Sequence, residues 1–290
     1  MRRPFAVQFE KFHGLGNDFI VARGEKLPRS LSALAAAITC RNTGVGADGF
    51  LVVLPARDRR HDGRIRFFNP DGSEPEMSGN GIRCVGAFLM SSRGAKSTLS
   101  LETPAGVKVL RLMESQPGRW VFRVSMGSPI LRASAIPFKA GNAPSPVINF
   151  PITTSHGTVR VTVTSMGNPH CSVFVKDFNA IPWPLVGSEL ERDEHFPNRT
   201  NVEFVRVLSR RRIEVRFWER GVGQTQSSGT GSCGAVAACI LNGLTGRKVT
   251  VRTLAGELEV EWPQGGEILL TGPAERIAQG TYFYSGRGNS

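Results

Sequence analysis

Two stretches of this 290-residue chain repeat one pattern, and the repeat constrains the fold more than any other feature of the sequence. Residues 65–81 read IRFFNPDGSEPEMSGNG, and residues 215–231 read VRFWERGVGQTQSSGTG, at a constant offset of 150 residues without a gap. An apolar segment follows each copy. Such internal similarity indicates a duplicated structural unit. The repeat therefore predicts two similar domains, with two matched Ser-Gly-Asn/Thr-Gly turns facing one shared site.

Short strand-like segments dominate both halves of the chain. They are mostly four to eight residues long and are separated by Gly, Pro, Asn or Asp, whereas helical patterns occur only at 30–40, 82–92 and 232–242. The last of these, SCGAVAACILN, is apolar nearly all round, which is typical of a helix buried on every side. We expect it to be the central helix of its domain, and residues 132–156 to form a connection or irregular strands near the domain boundary.

Composition excludes several classes of protein. No segment approaches the ~18 to 20 apolar residues that a transmembrane helix needs, and the N-terminus lacks the apolar region of a secretory signal. The five cysteines are an odd number spread through a long chain, which fits reduced thiols better than a disulfide framework. These features predict a cytoplasmic protein.

The net charge of +12 raises the possibility of a nucleic-acid partner. Short basic clusters at 57–60 and 210–212 fall in expected turns, and no aromatic residues that could stack on bases are interleaved with them. A basic surface that attracts small anions is therefore the favoured interpretation, and nucleic-acid binding is the less favoured alternative.

Each repeated Ser-Gly-x-Gly turn precedes a predicted buried helix. The first N–H groups of a helix have no intrahelical partner, and with the helix dipole they form a binding point for a carboxylate or phosphate. Simple N-capping by Ser78 and Ser228 explains one such turn equally well. Two symmetric copies favour a small cavity for an anionic or zwitterionic ligand.

Other polar residues flank these turns. Asn69 and Glu219 occupy equivalent positions in the repeat, and Glu219 with Arg220 offers adjacent opposite charges to a ligand, although a solvated ion pair is the alternative. Asn17 and Asn168 follow glycines in matched loops at an offset of 151. His170 is a candidate proton-relay residue, with a structural, hydrogen-bonded histidine as the alternative.

Two familiar motifs are rejected. GVGADG at 44–49 fits the G-x-G-x-x-G pattern, but an apolar strand-like segment follows it where a dinucleotide-binding turn needs a helix. Cys233 and Cys239 lack partners at metal-ligand spacing, so we predict no metal site.

The motifs KFHGLGNDFIV, RNTGVGADGFLVV, FFNPDGSEPEMSGNGIRC, MGNPHCSVFV, TNVEFV, ERGVGQTQSSGTGSCGAVAA and LTGPAE closely resemble the diaminopimelate epimerase family, in the family's order and over nearly the whole chain. The resemblance implies an α+β fold of two pseudo-symmetric domains, each a β-barrel-like sheet around a central helix, with the active site in the cleft between them. The expected domains are 1–127, joined by the C-terminal segment 276–290, and 128–275.

The resemblance also implies an activity. The family comprises isomerases that interconvert LL- and meso-2,6-diaminopimelate, on the route to lysine and peptidoglycan, without pyridoxal phosphate or a metal. A homodimer is expected, with no cofactor. Two bases act on opposite faces of the α-carbon, one removing a proton as a thiolate and the other, a thiol, delivering one. Thiols suit this work because a pKa near ~8.5 makes both protonation states accessible.

The chain departs from the family at the two reacting positions, because serines stand where the family has its cysteines. Ser78 and Ser228 directly precede the GNG and GTG turns. A serine hydroxyl is a far weaker acid than a thiol and needs a neighbouring base to take its proton. By resemblance these neighbours are His170 and Glu219.

The rest of the family's binding set carries over by resemblance. The ligand's amino and carboxyl groups would be held by Asn17, Asn69, Asn168, Asn201, Glu219 and Arg220, and the carboxylate at the reacting centre by the backbone of Gly79, Asn80, Gly229 and Thr230. Two further positions differ: Gly49 replaces a glutamine ligand contact of some members, and Gln224 replaces a glutamate.

Three interpretations of the serine pair stay open. The leading hypothesis is an epimerase in which the serines perform slower or different chemistry. The cysteines could instead have been replaced deliberately, or the chain could be an inactive homologue that binds a zwitterionic amino acid. Related enzymes with a replaced cysteine include dehydratases and isomerases, so a related racemisation, isomerisation or dehydration is also an alternative.

Overall fold

The computed structural model describes residues 5–75, 77–93, 96–139, 141 and 145–286, so part of the predicted connection at 132–156 lies outside the described residues. They form two compact units, one within 1–124 and 272–290 and the other within 125–271. The predicted domain boundaries, after residues 127 and 275, stay predictions, because compactness alone does not show independent folding. Within the described ranges, no helix is long and apolar enough to cross a membrane.

The structure contains sixteen strands and four α-helices in the described part of the chain. In chain order they are β1 (Phe5–Gly14), β2 (Asn17–Arg23), α1 (Leu31–Thr39), β3 (Gly49–Leu54), β4 (Gly63–Phe68), α2 (Gly79–Arg93), β5 (Thr98–Thr103), β6 (Gly106–Gln116), β7 (Arg119–Gly127), β8 (Phe150–Thr154), β9 (Gly157–Ser165), β10 (Pro169–Phe174), α3 (Trp183–Glu191), β11 (Asn201–Ser209), β12 (Arg212–Glu219), β13 (Gly223–Thr225), α4 (Gly229–Leu241), β14 (Lys248–Thr253), β15 (Gly256–Glu261) and β16 (Ile268–Tyr284). The predicted α+β class is confirmed.

The first unit is a barrel-like sheet around α2. Strands β1 to β7 follow one another as hydrogen-bonded neighbours, β16 lies next to β7, and β16 also pairs with β1, so the sheet closes on itself. The β2–β3 and β4–β5 pairs are parallel. Every residue of α2 from 79 to 89 is buried, which places this helix in the core.

The second unit also has its strands arranged around a central helix, α4. Its strands follow the order β16, β15, β14, β12, β11, β10, β9 and β8, with the short β13 beside β12. The β10–β11 and β12–β14 pairs are parallel. Residue 229 and residues 231 to 239 of α4 are all buried, as the apolar pattern of that segment predicts.

The 150-residue offset extends well beyond the repeated motif. Helices α2 and α4 begin at residues 79 and 229, β5 and β14 at 98 and 248, and β6 and β15 at 106 and 256. Each pair of starting positions differs by 150. The duplication therefore includes the central helix and the two strands that follow it in each unit.

Glycines allow α4 to lie close to the surrounding strands. A Cβ atom on Gly234 would lie 2.9 Å from Cβ of His170, and one on Gly231 would lie 3.0 Å from Oε1 of Glu203. In α2, a Cβ on Gly86 would lie 2.9 Å from a methyl group of Leu110. These distances are shorter than ordinary van der Waals contacts. The small residues of both helices are therefore a packing requirement.

The structure contains four elements that the sequence did not predict as such. Strands β2 and β13 and helix α3 were not predicted, and β8 is a regular strand inside the segment expected to be irregular. Strand β2 follows a Leu-Gly turn and is buried on both faces, so it lacks the alternation by which half-buried strands are recognised. The two central helices also begin three residues before the predicted starts, because the glycines of the turns belong to their first turns.

We predict that Gly234→Ala lowers the free energy of unfolding by about 1 to 3 kcal/mol, the usual cost of overpacking. The new methyl group meets the ring-bearing carbons of His170, which hydrogen bonds to Glu203 and Asn168 hold in place. Gly246→Ala is the control, because its Cβ would meet only a carbonyl oxygen of Arg210 at 3.5 Å. Urea denaturation monitored by circular dichroism measures both variants. Equal stability of Gly234→Ala and the parent protein would contradict the packing argument.

Candidate active site

Ser228 caps the first turn of α4 and is bonded to a carboxylate at the same time. It has an extended backbone (φ −134°, ψ 126°), and its Oγ accepts a hydrogen bond from the N–H of Gly231 at 3.3 Å. The same hydroxyl donates to Oε2 of Glu219 at 3.1 Å, and Thr225 donates to Oε1 of that carboxylate at 2.6 Å. The hydroxyl hydrogen of a buried serine is thus directed at a group able to accept it.

Two N–H groups of this turn have no acceptor within the helix. The capping bond uses the N–H of Gly231, and the N–H of Ser232 donates to the carbonyl of Ser228 at 3.0 Å. Helix geometry leaves the N–H groups of Gly229 and Thr230 without an intrahelical acceptor. With the positive end of the helix dipole, they form a binding point for a carboxylate.

His170 lies in β10 and is held by a buried carboxylate. Its Nδ1 is 2.6 Å from Oε1 of Glu203, and both side chains are almost completely buried. Burial raises the pKa of the Glu203 carboxyl, and the nearby Glu219 acts in the same direction, whereas the hydrogen bond with His170 acts against it. Because Glu203 fixes the position of Nδ1, Nε2 points away from Glu203 and lies 3.1 Å from Oδ1 of Asn168. The histidine therefore has one orientation in this unit.

Asn201 is fixed by the backbone on two sides. Its Oδ1 accepts from the N–H of Arg220 at 3.0 Å, and its Nδ2 donates to the carbonyl of Pro169 at 2.9 Å. The guanidinium of Arg220 donates to the carbonyl of Asn198 and is exposed. The second unit therefore holds three groups of contacts: Asn168 with His170, Asn201 with the backbone of Arg220, and Glu219 with Ser228.

The first unit repeats the capped turn at Ser78. Its Oγ accepts a hydrogen bond from the N–H of Gly81 at 3.0 Å, and its carbonyl accepts from the N–H of Ile82 at 2.9 Å. Helix geometry leaves the N–H groups of Gly79 and Asn80 without an intrahelical acceptor, as at the matching positions of α4.

The asparagines predicted for the first unit divide into two groups. The side chain of Asn80 donates to Oδ1 of Asn17 at 3.2 Å, so these two lie together beside the α2 turn. Asn69 is exposed and donates to the hydroxyl of Ser73 at 2.9 Å, within its own turn after β4. The described contacts therefore join Asn17 with Asn80 and leave Asn69 separate from them.

The two other departures from the family pattern, Gly49 and Gln224, lie in different surroundings. Gly49 is buried at the start of β3, where a Cβ atom would lie 3.0 Å from the ring of Phe19 and from the carbonyl oxygen of Phe68. A glutamine therefore does not fit there without displacement of the backbone. Gln224 is exposed on β13, opposite Trp218.

Sequence reasoning missed four polar residues at these sites. Glu203 and Thr225 contact the proposed proton-transfer residues of the second unit, and Arg83 and Asp48 contact Asn80 and Asn17 in the first. All four lie in or directly beside the motifs quoted above, but single-sequence patterns carry no information about which side chains meet. No group of three His, Cys, Asp or Glu side chains arranged to hold a metal occurs in the described ranges.

None of the five cysteines stands at position 78 or 228, where serines cap α2 and α4. Burial raises the pKa of Cys84 to about 12 and that of Cys239 to about 12, and it raises the pKa of Cys171 well above its usual value. None of the five forms a disulfide; Cys40 is partly exposed and the other four are buried. Buried thiols with raised pKa values act as small apolar side chains.

Comparison with known proteins identifies the family. The family model described as diaminopimelate epimerase matches residues 9–131 and 162–277. The diaminopimelate epimerase of Pelotomaculum thermopropionicum is 45% identical over 282 residues, covering 96% of this chain and 99% of that protein. The diaminopimelate epimerase of Moorella thermoacetica is 46% identical over 281 residues, covering 95% and 99%.

Solved structures show the same fold at low sequence identity. A hydroxyproline epimerase from Agrobacterium vitis superposes with a TM-score of 0.69 at 17% identity, covering 98% of this chain and 94% of that one. A methylitaconate-delta-isomerase superposes with a TM-score of 0.67 at 15% identity, covering 100% and 99%. The fold class expected from the resemblance is confirmed.

A partly buried carboxylate next to the Asn17 site depends on two cations. Asp18 Oδ2 is 2.8 Å from Nζ of Lys11, and Oδ1 is 3.1 Å from Nη2 of Arg41. Burial alone would raise the pKa of Asp18, but the hydrogen bonds and charges of Lys11 and Arg41 outweigh burial and lower it. A lowered pKa stabilises the folded state above the unfolded value, and this stability is lost as the pH falls through the folded pKa.

Asp18→Asn is therefore expected to lower the free energy of unfolding at pH 7 by about 1 to 3 kcal/mol, the range for hydrogen bonds to charged groups. The deficit should shrink below about pH 4, near the unfolded pKa of an aspartate, because the parent then loses the same charge. Urea denaturation at a series of pH values measures it, with the exposed Glu25→Gln as control. A deficit that stays constant down to pH 2 would show that the ion pairs are not its cause.

Proposed function

The chain belongs to the diaminopimelate epimerase family, and from this premise we propose that it interconverts LL- and meso-2,6-diaminopimelate by proton transfer at the α-carbon. The family model covers most of the chain, and the relatives named above match it at 45% and 46% identity over nearly their full length. The reaction class is cofactor-independent epimerisation of an amino acid, which supplies lysine and peptidoglycan precursors.

The observation that carries this proposal is the arrangement around Ser228. One hydroxyl caps a buried helix and donates its hydrogen to the carboxylate of Glu219 at 3.1 Å, beside two N–H groups that have no intrahelical acceptor. A ligand carboxylate at those N–H groups would place its α-carbon next to the hydroxyl. Ser78 caps the matching turn of the first unit, and by resemblance to the family we propose it as the second proton-transfer residue.

We expect the two serines to transfer protons more slowly than the family's cysteines. A thiol with a pKa near ~8.5 can be a thiolate at neutral pH, whereas a serine needs a base to accept its proton during the reaction. We propose that Glu219 is the base that accepts the proton of Ser228. By resemblance to the family, we propose His170 as the other base. Asn17, Asn69, Asn168, Asn201 and Arg220 complete the proposed ligand contacts.

The expected reaction exchanges the α-proton of the substrate with solvent. We predict that LL-diaminopimelate incubated with the protein in deuterium oxide loses its α-proton NMR signal above the background rate and forms the meso isomer. The double variant Ser78→Cys with Ser228→Cys is expected to exchange at least about 100-fold faster, the usual scale of acid–base catalysis by well-matched groups. It should also be less stable by about 0.5 to 2 kcal/mol per cap, because sulfur is a weak hydrogen-bond acceptor.

Ser227→Cys is the matched control for this experiment. Ser227 is buried beside Ser228, and its Oγ has no hydrogen-bond partner in the described part of the structure. A thiol there is expected to leave exchange at the parent rate. No exchange by either the parent or the double-cysteine variant would contradict the proposed reaction.

The alternative is a homologue that binds a zwitterionic amino acid or catalyses a related reaction. It is less well supported, because eight relatives at 39–46% identity are all named diaminopimelate epimerase. Calorimetric binding of diaminopimelate without any α-proton exchange would favour this alternative.

We also propose that the protein is a cytoplasmic homodimer. Apolar side chains are exposed on β16 of the first unit, among them Phe283 and Ile277, at 67% and 51% exposure. A second copy would cover this patch.

Light scattering is expected to give twice the mass of 31.5 kDa, and Phe283→Lys to give the monomer mass. Val222→Lys, on the second unit, should leave the dimer intact; a monomeric parent protein would refute the dimer.

A further inference from the structure

We propose that Arg83 and Asp48 are positioning residues that fix the orientation of the Asn80 and Asn17 amides, so that both present N–H donors to a carboxylate of the ligand. The proposal deepens the function proposed above and rests on it for the identity of the ligand. It concerns the first unit alone, where four side chains form one continuous chain of hydrogen bonds from a guanidinium to a carboxylate.

The guanidinium end of the chain is fixed in the core. Arg83 is completely buried in α2 and donates to the carbonyl oxygen of Gly79 at 2.9 Å and to that of Pro273 at 3.1 Å. A Cβ atom on residue 14 would lie 3.1 Å from Nη2, so Gly14 leaves the space that the guanidinium occupies. The third contact joins Nη2 to the side chain of Asn80 at 2.8 Å.

The chemistry of this end determines the orientation of Asn80. An arginine side chain only donates hydrogen bonds, so the atom of Asn80 that faces it must be the amide oxygen. The amide nitrogen is then the atom that faces Asn17 at 3.2 Å, and it must donate to the Asn17 oxygen. The assignment of oxygen and nitrogen in an amide rests on such neighbours, since the two atoms have nearly the same shape.

The carboxylate end independently requires the same direction. With its oxygen turned to Asn80, Asn17 directs its nitrogen at Oδ2 of Asp48 at 2.9 Å, and an ionised carboxylate only accepts. Asp48 is held in turn by Nη2 of Arg41 at 2.7 Å and by the N–H of Asp18 at 3.1 Å. Both ends of the chain are charge-assisted hydrogen bonds, which are the stronger kind.

In this series of hydrogen bonds both amide oxygens act as acceptors, and each NH₂ group uses one of its two hydrogens. Each NH₂ group carries two hydrogens, and the described contacts use one from Asn80 and one from Asn17. The pair therefore offers two donors and keeps its oxygens occupied. A carboxylate accepts from such donors, whereas an ammonium group, which only donates, has no acceptor to meet there. This arrangement selects the carboxylate end of a zwitterion.

Asp48→Asn tests the proposal with little change of shape. The new amide can donate as well as accept, so Asn17 can turn over and present its oxygen. The calorimetric Kd for LL-diaminopimelate is expected to rise about 10-fold, equivalent to one hydrogen bond of roughly 1.4 kcal/mol. In the exchange assay KM should rise with little change in kcat, because the amides bind the substrate and transfer no proton.

Asp58→Asn is the matched control. The Asp58 side chain is 38% exposed and paired with Arg60 at 2.6 Å, compared with 40% exposure and a 2.7 Å contact with Arg41 for Asp48. It is expected to leave Kd and KM at the parent values. An unchanged Kd in Asp48→Asn, or an equal rise in both variants, would overturn the proposal.

A second measurement does not depend on the ligand. In protein labelled with ¹⁵N-asparagine, Asp48→Asn should shift the side-chain NH₂ resonances of Asn17 and speed the exchange of its bonded hydrogen with water, whereas Asp58→Asn should not. If the parent protein fails to bind diaminopimelate, the proposed function fails while this measurement still decides the orientation. Unchanged Asn17 resonances in Asp48→Asn would refute the fixed orientation in either case.

Discussion

The first turns of two buried helices are the constraint on which the rest of this structure depends. A helix that begins inside a core carries N–H groups that its own carbonyls cannot satisfy, and a buried N–H without a partner is costly. In each unit a serine satisfies one of them, at Ser78 and at Ser228. The surrounding strands then supply polar side chains around the open N–H groups. The burial that stabilises each unit thus also creates its binding point for an anion.

Each serine hydroxyl oxygen both caps a helix and is the atom proposed to transfer a proton. A hydroxyl oxygen is a good acceptor for a helix N–H, so serine is among the preferred capping residues, but it releases its proton far less readily than a thiol. In this chain Ser228 gains a stronger cap and depends on Glu219 for proton transfer. Trade-offs of this kind between stability and activity are common at active sites. Most of the family's binding positions are retained, with Gly49 and Gln224 as the further differences, so we expect the serines to change the reaction rate more than the class of ligand.

The sequence predicts local features of this fold well and tertiary partners poorly. The presence of α2 and α4 follows from a turn pattern and an apolar segment, both of which are local, although each helix begins three residues before its predicted start. The contact between Asn17 and Asp48 spans 31 residues and depends on the parallel pairing of β2 with β3. The contact between His170 and Glu203 spans 33 residues and depends on β10 and β11 in the same way. Strand pairing over such distances leaves no pattern in a single sequence, so these carboxylates could not be assigned in advance.

The central claim is that the capped start of α4 holds the ligand carboxylate at the reacting centre. The most direct test is a crystal structure of the protein with LL-diaminopimelate, in which the slow serine pair favours capture of the intact ligand. The account predicts one ligand carboxylate within about 2.7 to 3.2 Å of the N–H groups of Gly229 and Thr230. The α-carbon should then lie next to the hydroxyl of Ser228. A ligand carboxylate bound away from this turn would contradict the account.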